Sequence, residues 1–448
     1  MRSFLTPISE PPKPQRNPHR QCKLFARPPF SLEFSPTPLA LDIYMQFTLV
    51  HSLQHPGPQH NFHSIKHTQN QTEVPYLRYP GAQNLTANHI EKRRRNRKKG
   101  KMGSIPPPPL NNLTSHLPRS LVSSHPQLTT SILPSLLGAI SCISASLRTA
   151  QTVAPTSTTN TFGDAQLNVD MLAESHLRAA LVSCPAVHAA SSEEDPVERT
   201  LHLHQPGVDR LHGVEGEEKE EGEEYTVAFD PLDGSSIIAP NWTVGTIIGI
   251  WRGKSALGKS PRSEQVAAVL GVFGPRTTAV IAVRFPEEDK RVCVELGEVD
   301  GGVWEVLRER VEFEGVEKGK GKERYFAPAN LRAAAEDEKY MALVEKFIRE
   351  RYTLRYCGGL VPDVYHGLVK GKGVYLSPVT AGSKAKLRRL YELCPVALVV
   401  ECAGGKAIDP ADGGKEVLDK EVKSCDERGG LICGTREEVE MAGEALLG

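Results

Sequence analysis

The chain has 448 residues, with 54 Lys and Arg side chains balanced by 54 Asp and Glu, so its formal net charge is zero and indicates no particular partner. The length predicts two or three domains with a large core. Nine cysteines without CxxC spacing argue against a zinc site or a disulfide-rich secreted protein, and no apolar run reaches the roughly 20 residues of a membrane span.

Residues 1–128 are rich in Pro, His, Asn, Gln and Ser and lack periodicity, which predicts a disordered, low-complexity segment. Within it, residues 92–101 carry eight basic side chains in ten. This run has three interpretations: a solvated tail, a nuclear localisation signal, or an arm that binds nucleic acid. A further alternative is that the native protein begins at Met102 and that the upstream part is a translated leader.

After this segment the sequence predicts alternating helices and strands. Apolar residues recur at helical spacing over residues 131–149 and 164–183. Four further helices are predicted at 265–271, 338–352, 362–369 and 383–393. Strands are predicted at 186–190, 225–229, 244–251, 278–283 and 291–296. The irregular alternation favours a layered α/β fold over a simple barrel.

The stretch FDPLDGSS, residues 229–236, places Asp230 and Asp233 where a predicted strand becomes a loop. Asp in such a position commonly does no more than cap a turn. Two further acidic positions favour a metal: Glu193 and Glu194 follow a short strand, and Glu401 ends an apolar stretch. Adjacent or apolar-flanked carboxylates are costly unless a cation compensates them. The alternatives are solvated acids at Glu193 and Glu194 and a lysine partner for Glu401.

Carboxylates from three places in the sequence suit magnesium, which prefers oxygen ligands and phosphate. Gly234, Ser235 and Ser236 directly follow Asp233 and could hold a phosphate with backbone N–H groups and hydroxyls. Residues 384–389 include four basic side chains, and the favoured interpretation of Arg388 and Arg389 is a solvated helix face. The Glu-rich stretch at 215–224 is interpreted as an exposed loop.

These motifs together resemble the class 1 fructose-bisphosphatase family. FDPLDGSS, SSEE before it and ECAGG after it carry the resemblance. The segments SIIAPNWTVGTIIGIW, YTLRYCGGLVPDV and KAKLRRLYE are most similar to its sedoheptulose-1,7-bisphosphatase branch. The likeness implies an αβαβα-layered sugar-phosphatase fold, with a metal-binding half at 129–325 and a sugar-phosphate-binding half at 326–448.

The resemblance also implies roles for individual residues. The implied metal ligands are Glu193, Glu194, Asp230, the Leu232 carbonyl, Asp233 and Glu401. Asp164, Asp170 and Glu193 would orient or activate the attacking water. Gly234, Ser235 and Ser236 would bind the reacting phosphate. The implied contacts to the sugar and its distal phosphate are Asn330, Arg355, Tyr356 and Lys386.

The function implied is hydrolysis of the C1 phosphate of sedoheptulose 1,7-bisphosphate, fructose 1,6-bisphosphate or both, with two or more Mg²⁺ ions or with Mn²⁺. A dimer or tetramer is implied, because the family arginine at the Arg355 position reaches into the neighbouring subunit. Ala239 departs from the family, which has an acid there. The alternative is a catalytically weakened regulatory protein that binds nucleic acid through its basic arm. A cytoplasmic location is expected, with the nucleus left open by residues 92–101, and neither membrane nor nucleic acid is expected as a partner.

Overall fold

The computed structural model describes residues 113–159, 165–202, 222–285, 287, 290–300, 302–315 and 323–448. The chain divides after Gly100 into two units, and all described residues belong to the second. The basic run at 92–101, Met102 and Asp164 lie outside the described residues, so the predictions made for them stay predictions. The predicted boundary between the two halves near residue 325 also stays a prediction.

Two sheets organise the described residues, together with two small strand pairs. Strands β1 (Pro155–Thr159) and β2 (Ala165–Leu167) form one antiparallel pair. The eight-stranded sheet has the order β10-β9-β8-β7-β6-β5-β3-β4 and is antiparallel except for the parallel pair β3 and β5. Its strands are β3 (Val187–Ser192), β4 (Arg199–Thr200), β5 (Tyr225–Asp233), β6 (Val244–Arg252), β7 (Gln265–Phe273), β8 (Thr277–Phe285), β9 (Lys290–Asp300) and β10 (Val303–Arg308).

The second sheet has six strands in the order β12-β11-β13-β18-β15-β16. Strand β11 pairs in parallel with both β12 and β13, and the remaining pairs are antiparallel. Its strands are β11 (Tyr325–Pro328), β12 (Thr353–Leu354), β13 (Val374–Ser377), β15 (Lys406–Asp409), β16 (Lys415–Glu416) and β18 (Leu431–Gly434). The remaining strands, β14 (Leu387–Arg388) and β17 (Arg428–Gly429), pair with each other.

The helices cover both faces of each sheet. They are α1 (Leu113–His116), α2 (Arg119–Ser124), α3 (Leu133–Thr149), α4 (Asn168–Val182), α5 (Ser235–Ile238), α6 (Pro261–Glu264), α7 (Glu338–Arg349), α8 (Leu360–Lys370), α9 (Cys394–Cys402) and α10 (Arg436–Leu447). Wider π-helical turns precede α3 and α9, at Leu128–Ile132 and Arg389–Leu393. Short 3₁₀ turns occupy Leu331–Ala335, Pro410–Asp412 and Val417–Asp419.

Hydrophobic cores lie between five layers of helices and sheets. The first core joins α3 and α4 to one face of the eight-stranded sheet, and the second joins the opposite face to α8 and α9. The third core packs α7 and α10 on the far face of the six-stranded sheet. Side-chain alternation along β5 creates this division, because Val227 and Phe229 enter the first core while Ala228 enters the second. The αβαβα arrangement predicted from the sequence is therefore confirmed.

Three local predictions were wrong. Residues 113–128 were predicted to be disordered but form α1, α2 and the start of a π-helical turn, because Leu113, Leu117, Leu121 and Leu128 are all buried in the first core. Residues 265–271 were predicted as a helix but belong to β7. Residues 383–393 were also predicted as a helix, but β14 and the π-helical turn occupy residues 387–393.

The basic segment before α9 is buried, which contradicts its interpretation as a solvated helix face. The side chain of Arg388 is 3% exposed and pairs with Glu193. Arg389 is completely buried and pairs with Asp409, itself 2% exposed. Both guanidinium groups can be buried only because carboxylates from distant parts of the sequence neutralise them.

The segment Leu128–Thr149 is long and apolar enough to cross a membrane by length and composition alone. In the fold, 72% of its most apolar window is buried. Burial in the first core therefore accounts for its apolar character, and it is weak evidence for a membrane span.

Glu223, at the end of the Glu-rich stretch, is bound to the start of the first-core helices. Its carboxylate accepts hydrogen bonds from the N–H groups of Gln127 and Leu128, at 2.9 and 3.3 Å, and from the Tyr225 hydroxyl at 2.7 Å. A negative charge near N–H groups at a helix start is stabilising. We expect Glu223→Gln to lower the free energy of unfolding by about 1 kcal/mol, measured by urea denaturation.

The neighbouring Glu224→Gln provides the control for this prediction. Glu224 pairs with His188 and Lys254 at the surface, where ion pairs contribute little. An equal loss of stability in the two variants would contradict a specific role for the Glu223 carboxylate.

Candidate active site

The two carboxylates of FDPLDGSS lie at the carboxyl end of β5, and both are buried. Asp230 is 5% exposed, and its Oδ1 accepts from the Leu232 N–H at 3.0 Å. Asp233 is 8% exposed and accepts from the N–H groups of Leu360 and Val361 at 3.0 and 2.7 Å. These two donors begin α8, so Asp233 connects the loop after β5 to the middle helical layer. The predicted role of the Leu232 carbonyl stays a prediction.

Glu392, which the sequence analysis did not assign, joins these two carboxylates. It lies in the π-helical turn before α9, and its Oε2 accepts from the Arg388 N–H at 2.5 Å. Burial raises the pKa of Glu392 to about 7, a shift that the hydrogen bond from the Arg388 N–H opposes and the charge of Asp233 supports. Burial also raises the pKa of Asp233 to about 6. The pKa of Asp230 is raised by burial first and then by the charges of Asp233 and Glu392.

Glu401 does not join this cluster, and its prediction as a metal ligand is corrected by the structure. Its carboxylate, 15% exposed, accepts from Arg262 at 2.5 Å and from Arg284 at 3.1 Å. Glu401 is the penultimate residue of α9, whereas Glu392 lies two residues before the first residue of that helix. The cation that an acid in this apolar setting requires is supplied by two arginines rather than by a metal.

The second acidic position lies at the end of β3, beside β5. The Glu193 N–H donates to the Phe229 carbonyl at 3.0 Å, and its carboxylate pairs with Arg388. Glu194 accepts from the Gln166 side chain at 2.7 Å. Both side chains are partly exposed, as a site open to a ligand requires.

Asp170 lies in the first turn of α4 and is 3% exposed. Its Oδ2 accepts from the Leu167 N–H at 3.0 Å, whereas its buried Oδ1 has no hydrogen-bond partner. Burial raises the pKa of Asp170 to about 7, the Leu167 hydrogen bond opposes the shift, and the charge of Glu194 adds to it. Asp170 therefore provides a proton acceptor that titrates near neutral pH.

The carboxylates fit a hard divalent cation by their chemistry. Beside the effect of burial, the charges of Asp233 and Glu392 raise the pKa of Asp230, and the charge of Asp233 raises that of Glu392, so an added cation would relieve this repulsion. Within the described residues, no group of three or more His, Cys, Asp or Glu side chains already has the geometry of a metal site. The carboxylates are instead held by N–H groups and, at Glu193, by Arg388.

The predicted phosphate loop follows Asp233 directly. Gly234 has a φ of +103°, which a residue with a side chain rarely adopts, and it begins the one-turn helix α5. Ser235 and Ser236 are both exposed, so their hydroxyls are accessible. Ala239, the departure from the family, is exposed just after this turn. The assignment of Gly234, Ser235 and Ser236 to the reacting phosphate stays a prediction.

The residues predicted to bind the sugar and distal phosphate lie mainly in loops beside α8. Arg355 and Tyr356 line a cavity of about 950 Å³. The Asn330 side chain donates to the Ser383 hydroxyl, and a backbone hydrogen bond from Asn330 opposes the upward shift that burial gives to the pKa of Tyr356. Lys386 is exposed three residues beyond Ser383. The structure thus brings Asn330 close to Tyr356 and to the loop that carries Lys386.

Comparisons with known proteins agree on one family. Residues 119–289 match the family model described as fructose-1-6-bisphosphatase, N-terminal domain, and residues 320–446 match the model of its C-terminal domain. A chloroplastic sedoheptulose-1,7-bisphosphatase of Spinacia oleracea is 39% identical over 290 residues, which are 64% of this chain and 67% of that protein. A class 1 fructose-1,6-bisphosphatase of Syntrophotalea carbinolica is 34% identical over 64% of this chain and 79% of that protein.

Solved structures show the same fold. A Toxoplasma gondii protein assigned as a sedoheptulose-1,7 bisphosphatase matches with a TM-score of 0.59 and 35% identity, covering 70% of this chain and 94% of its own. A Leishmania major fructose-1,6-bisphosphatase matches with a TM-score of 0.60 at 23% identity, covering 73% of this chain and 97% of its own. The second likeness concerns the fold alone.

Proposed function

The chain belongs to the fructose-1,6-bisphosphatase family and is a sugar-bisphosphate phosphatase, and from this premise we propose that it hydrolyses the C1 phosphate of sedoheptulose 1,7-bisphosphate in preference to fructose 1,6-bisphosphate. The observation that carries the enzymatic proposal is the buried cluster of Asp230, Asp233 and Glu392, because buried carboxylates beside one another are costly without a cation. The higher identity to the sedoheptulose-1,7-bisphosphatase supports the seven-carbon substrate.

We propose magnesium as the cation, held by Asp230, Asp233 and Glu392 with Glu193 and Glu194 at the edge of the site. Once bound, the metal would polarise the phosphoryl group and stabilise the leaving oxygen. The family is generally metal-dependent. The hard oxygen ligands of this cluster favour Mg²⁺ or Mn²⁺ over softer metals.

Side chains and backbone of the protein carry out the proton transfer and the phosphate binding. Water attacks phosphorus, the bond between phosphorus and the C1 oxygen breaks, and that oxygen takes up a proton from solvent and leaves as a sugar hydroxyl. Asp170 accepts a proton from the attacking water, since its buried Oδ1 has no other partner and its pKa is about 7. The backbone after Asp233 binds the reacting phosphate, while Tyr356 and, across the subunit contact of an oligomer, Arg355 bind the distal one. These roles position both phosphates so that the hydrolysis is confined to C1.

A homo-oligomer and a cytoplasmic location are also proposed, and both await measurement. In an oligomer, Arg355 would reach the neighbouring subunit, and its accessible position beside the exposed Trp242 and Tyr356 supports this arrangement. No observation favours the alternative of a nucleic-acid-binding regulatory protein, whose basic run lies outside the described residues.

Phosphate release by the purified full-length protein tests the substrate. With magnesium present, we expect kcat/KM for sedoheptulose 1,7-bisphosphate to exceed that for fructose 1,6-bisphosphate about tenfold, which corresponds to about 1.4 kcal/mol of transition-state binding. A preference for the six-carbon sugar would overturn the substrate assignment. No release from either sugar, with magnesium shown to bind, would contradict the enzymatic proposal.

A further inference from the structure

Asp363 is a buried acid near the active site that neither the metal cluster nor the phosphate contacts use. It lies in the first turns of α8 and is 7% exposed. Its Oδ1 accepts from the Cys357 N–H at 2.7 Å, and its Oδ2 accepts from the Gly358 N–H at 3.0 Å. Both carboxylate oxygens are therefore committed to the backbone that directly follows Arg355 and Tyr356.

This backbone is fixed at two points. On one side, the Arg355 N–H donates to the Phe326 carbonyl at 3.0 Å, at the edge of the six-stranded sheet. At the second point, the carboxylate of Asp363 accepts the hydrogen bonds described above. Gly358 has a φ of +102°, and this turn of the chain brings its N–H to that carboxylate. The Arg355 and Tyr356 side chains project from the stretch between the two points.

The first turn of α8 also holds Asp233, one of the three carboxylates proposed to bind the metal. Leu360 and Val361, the first two residues of α8, donate to Asp233, and Pro362 after them has no N–H. Asp233 and Asp363 thus contact consecutive parts of one short segment.

We propose that Asp363 is a positioning residue that fixes residues 355–358 and so ties recognition of the distal phosphate to the loop carrying Asp233. This inference rests on the proposed function, which assigns Arg355 and Tyr356 to that phosphate. Asp363 itself touches neither phosphate. It sets the distance between Tyr356, which holds the far end of the substrate, and Asp233 at the reacting end.

Hydrogen exchange of the full-length protein tests the geometric part without requiring activity. We expect the Cys357 and Gly358 amides to exchange about tenfold faster in Asp363→Asn and faster still in Asp363→Ala, since Asn retains one acceptor oxygen. Glu438→Gln is the matched control, because Glu438 is also buried and accepts from a backbone N–H, that of Gly373. Unchanged exchange at residues 357 and 358 in Asp363→Ala would overturn the proposal.

Kinetics with two substrates test the functional part. Fructose 1,6-bisphosphate carries both phosphates, whereas fructose 1-phosphate lacks the distal one. In Asp363→Asn we expect kcat/KM for the bisphosphate to fall about tenfold to a hundredfold, mainly through KM, and that for the monophosphate to change less than about twofold. Glu438→Gln should change both equally or neither.

The outcomes separate this inference from the function on which it rests. An equal fall for both substrates in Asp363→Asn would show general destabilisation and overturn the positioning role. If the wild-type protein releases phosphate from no sugar, the proposed function fails and the substrate role of Asp363 fails with it. Hydrogen exchange would then still decide whether Asp363 holds the segment.

Discussion

Glu392→Gln is expected to lower kcat/KM about a hundredfold, whereas Glu401→Gln should leave kcat/KM within about twofold of the wild type. The first substitution removes a charge from the buried cluster that includes Asp230 and Asp233. The second removes a charge that Arg262 and Arg284 already neutralise. Both replace one glutamate of the same apolar segment by glutamine, so each variant is a control for the other.

Stability should respond in the opposite order. Glu401→Gln leaves two partly buried arginines without their shared partner, and we expect it to lower the free energy of unfolding by about 2 kcal/mol. Glu392→Gln relieves repulsion and should stabilise the metal-free protein or leave it unchanged. Urea denaturation without metal measures both. A large catalytic loss in Glu401→Gln with normal activity in Glu392→Gln would reverse the assignment made here.

The sequence predicted Glu401 instead of Glu392 as a metal ligand, and the reason is geometric. Both acids flank one apolar segment, and the acid at the end of that segment, Glu401, was predicted as the ligand. The segment is largely helical, and nine residues at about 1.5 Å rise separate the two carboxylates by about 13 Å along the axis. Only one end can reach Asp233, and local sequence does not say which. Glu392 has apolar neighbours in Leu390, Tyr391 and Leu393, as Glu401 does in Val399 and Val400, so the sequence does not distinguish the two.

The elements predicted well were those with a clear period or a clear boundary. The strand before Asp230 and the helices now seen as α7 and α8 belong to this group. Strand β7 was missed because it is buried on both faces, and a short run that is apolar throughout does not distinguish a strand from a helix. The burial of Arg388 and Arg389 was missed because Glu193 and Asp409 are distant in sequence.

The pH dependence of the metal-free protein follows from three buried carboxylates. The folded-state pKa is about 7 for Asp170, about 6 for Asp233 and about 7 for Glu392, against ordinary values of 3.8, 3.8 and 4.5. Each pKa is raised by folding, so the folded protein retains protons that the unfolded chain has released. The stability gained in this way is complete below about pH 4 and is lost as the pH rises through about 6 to 7.

We therefore expect the Tm of the metal-free protein to fall between about pH 5 and about pH 8, with a loss of a few kcal/mol at about 1.4 kcal/mol for each unit of pKa. Other ionisable groups also titrate in this range. Glu392→Gln separates the contribution of these carboxylates from that of other groups. It removes one of the three, Glu392, and should therefore make the decline in Tm shallower. A decline of equal steepness in the variant and the wild type would contradict this assignment.

Magnesium should reverse the decline. A divalent cation that binds ionised carboxylates must displace the protons that remain on them, so its stabilising effect should be larger at about pH 8 than at about pH 5.5. Calorimetry of the folded protein near pH 6.5 should record proton release on binding, visible as a dependence of the apparent enthalpy on the buffer. A monovalent salt at equal ionic strength is the control for screening. Binding without proton release would mean that the cation avoids the cluster of Asp230, Asp233 and Glu392, and the catalytic role assigned to that cluster would fall with it.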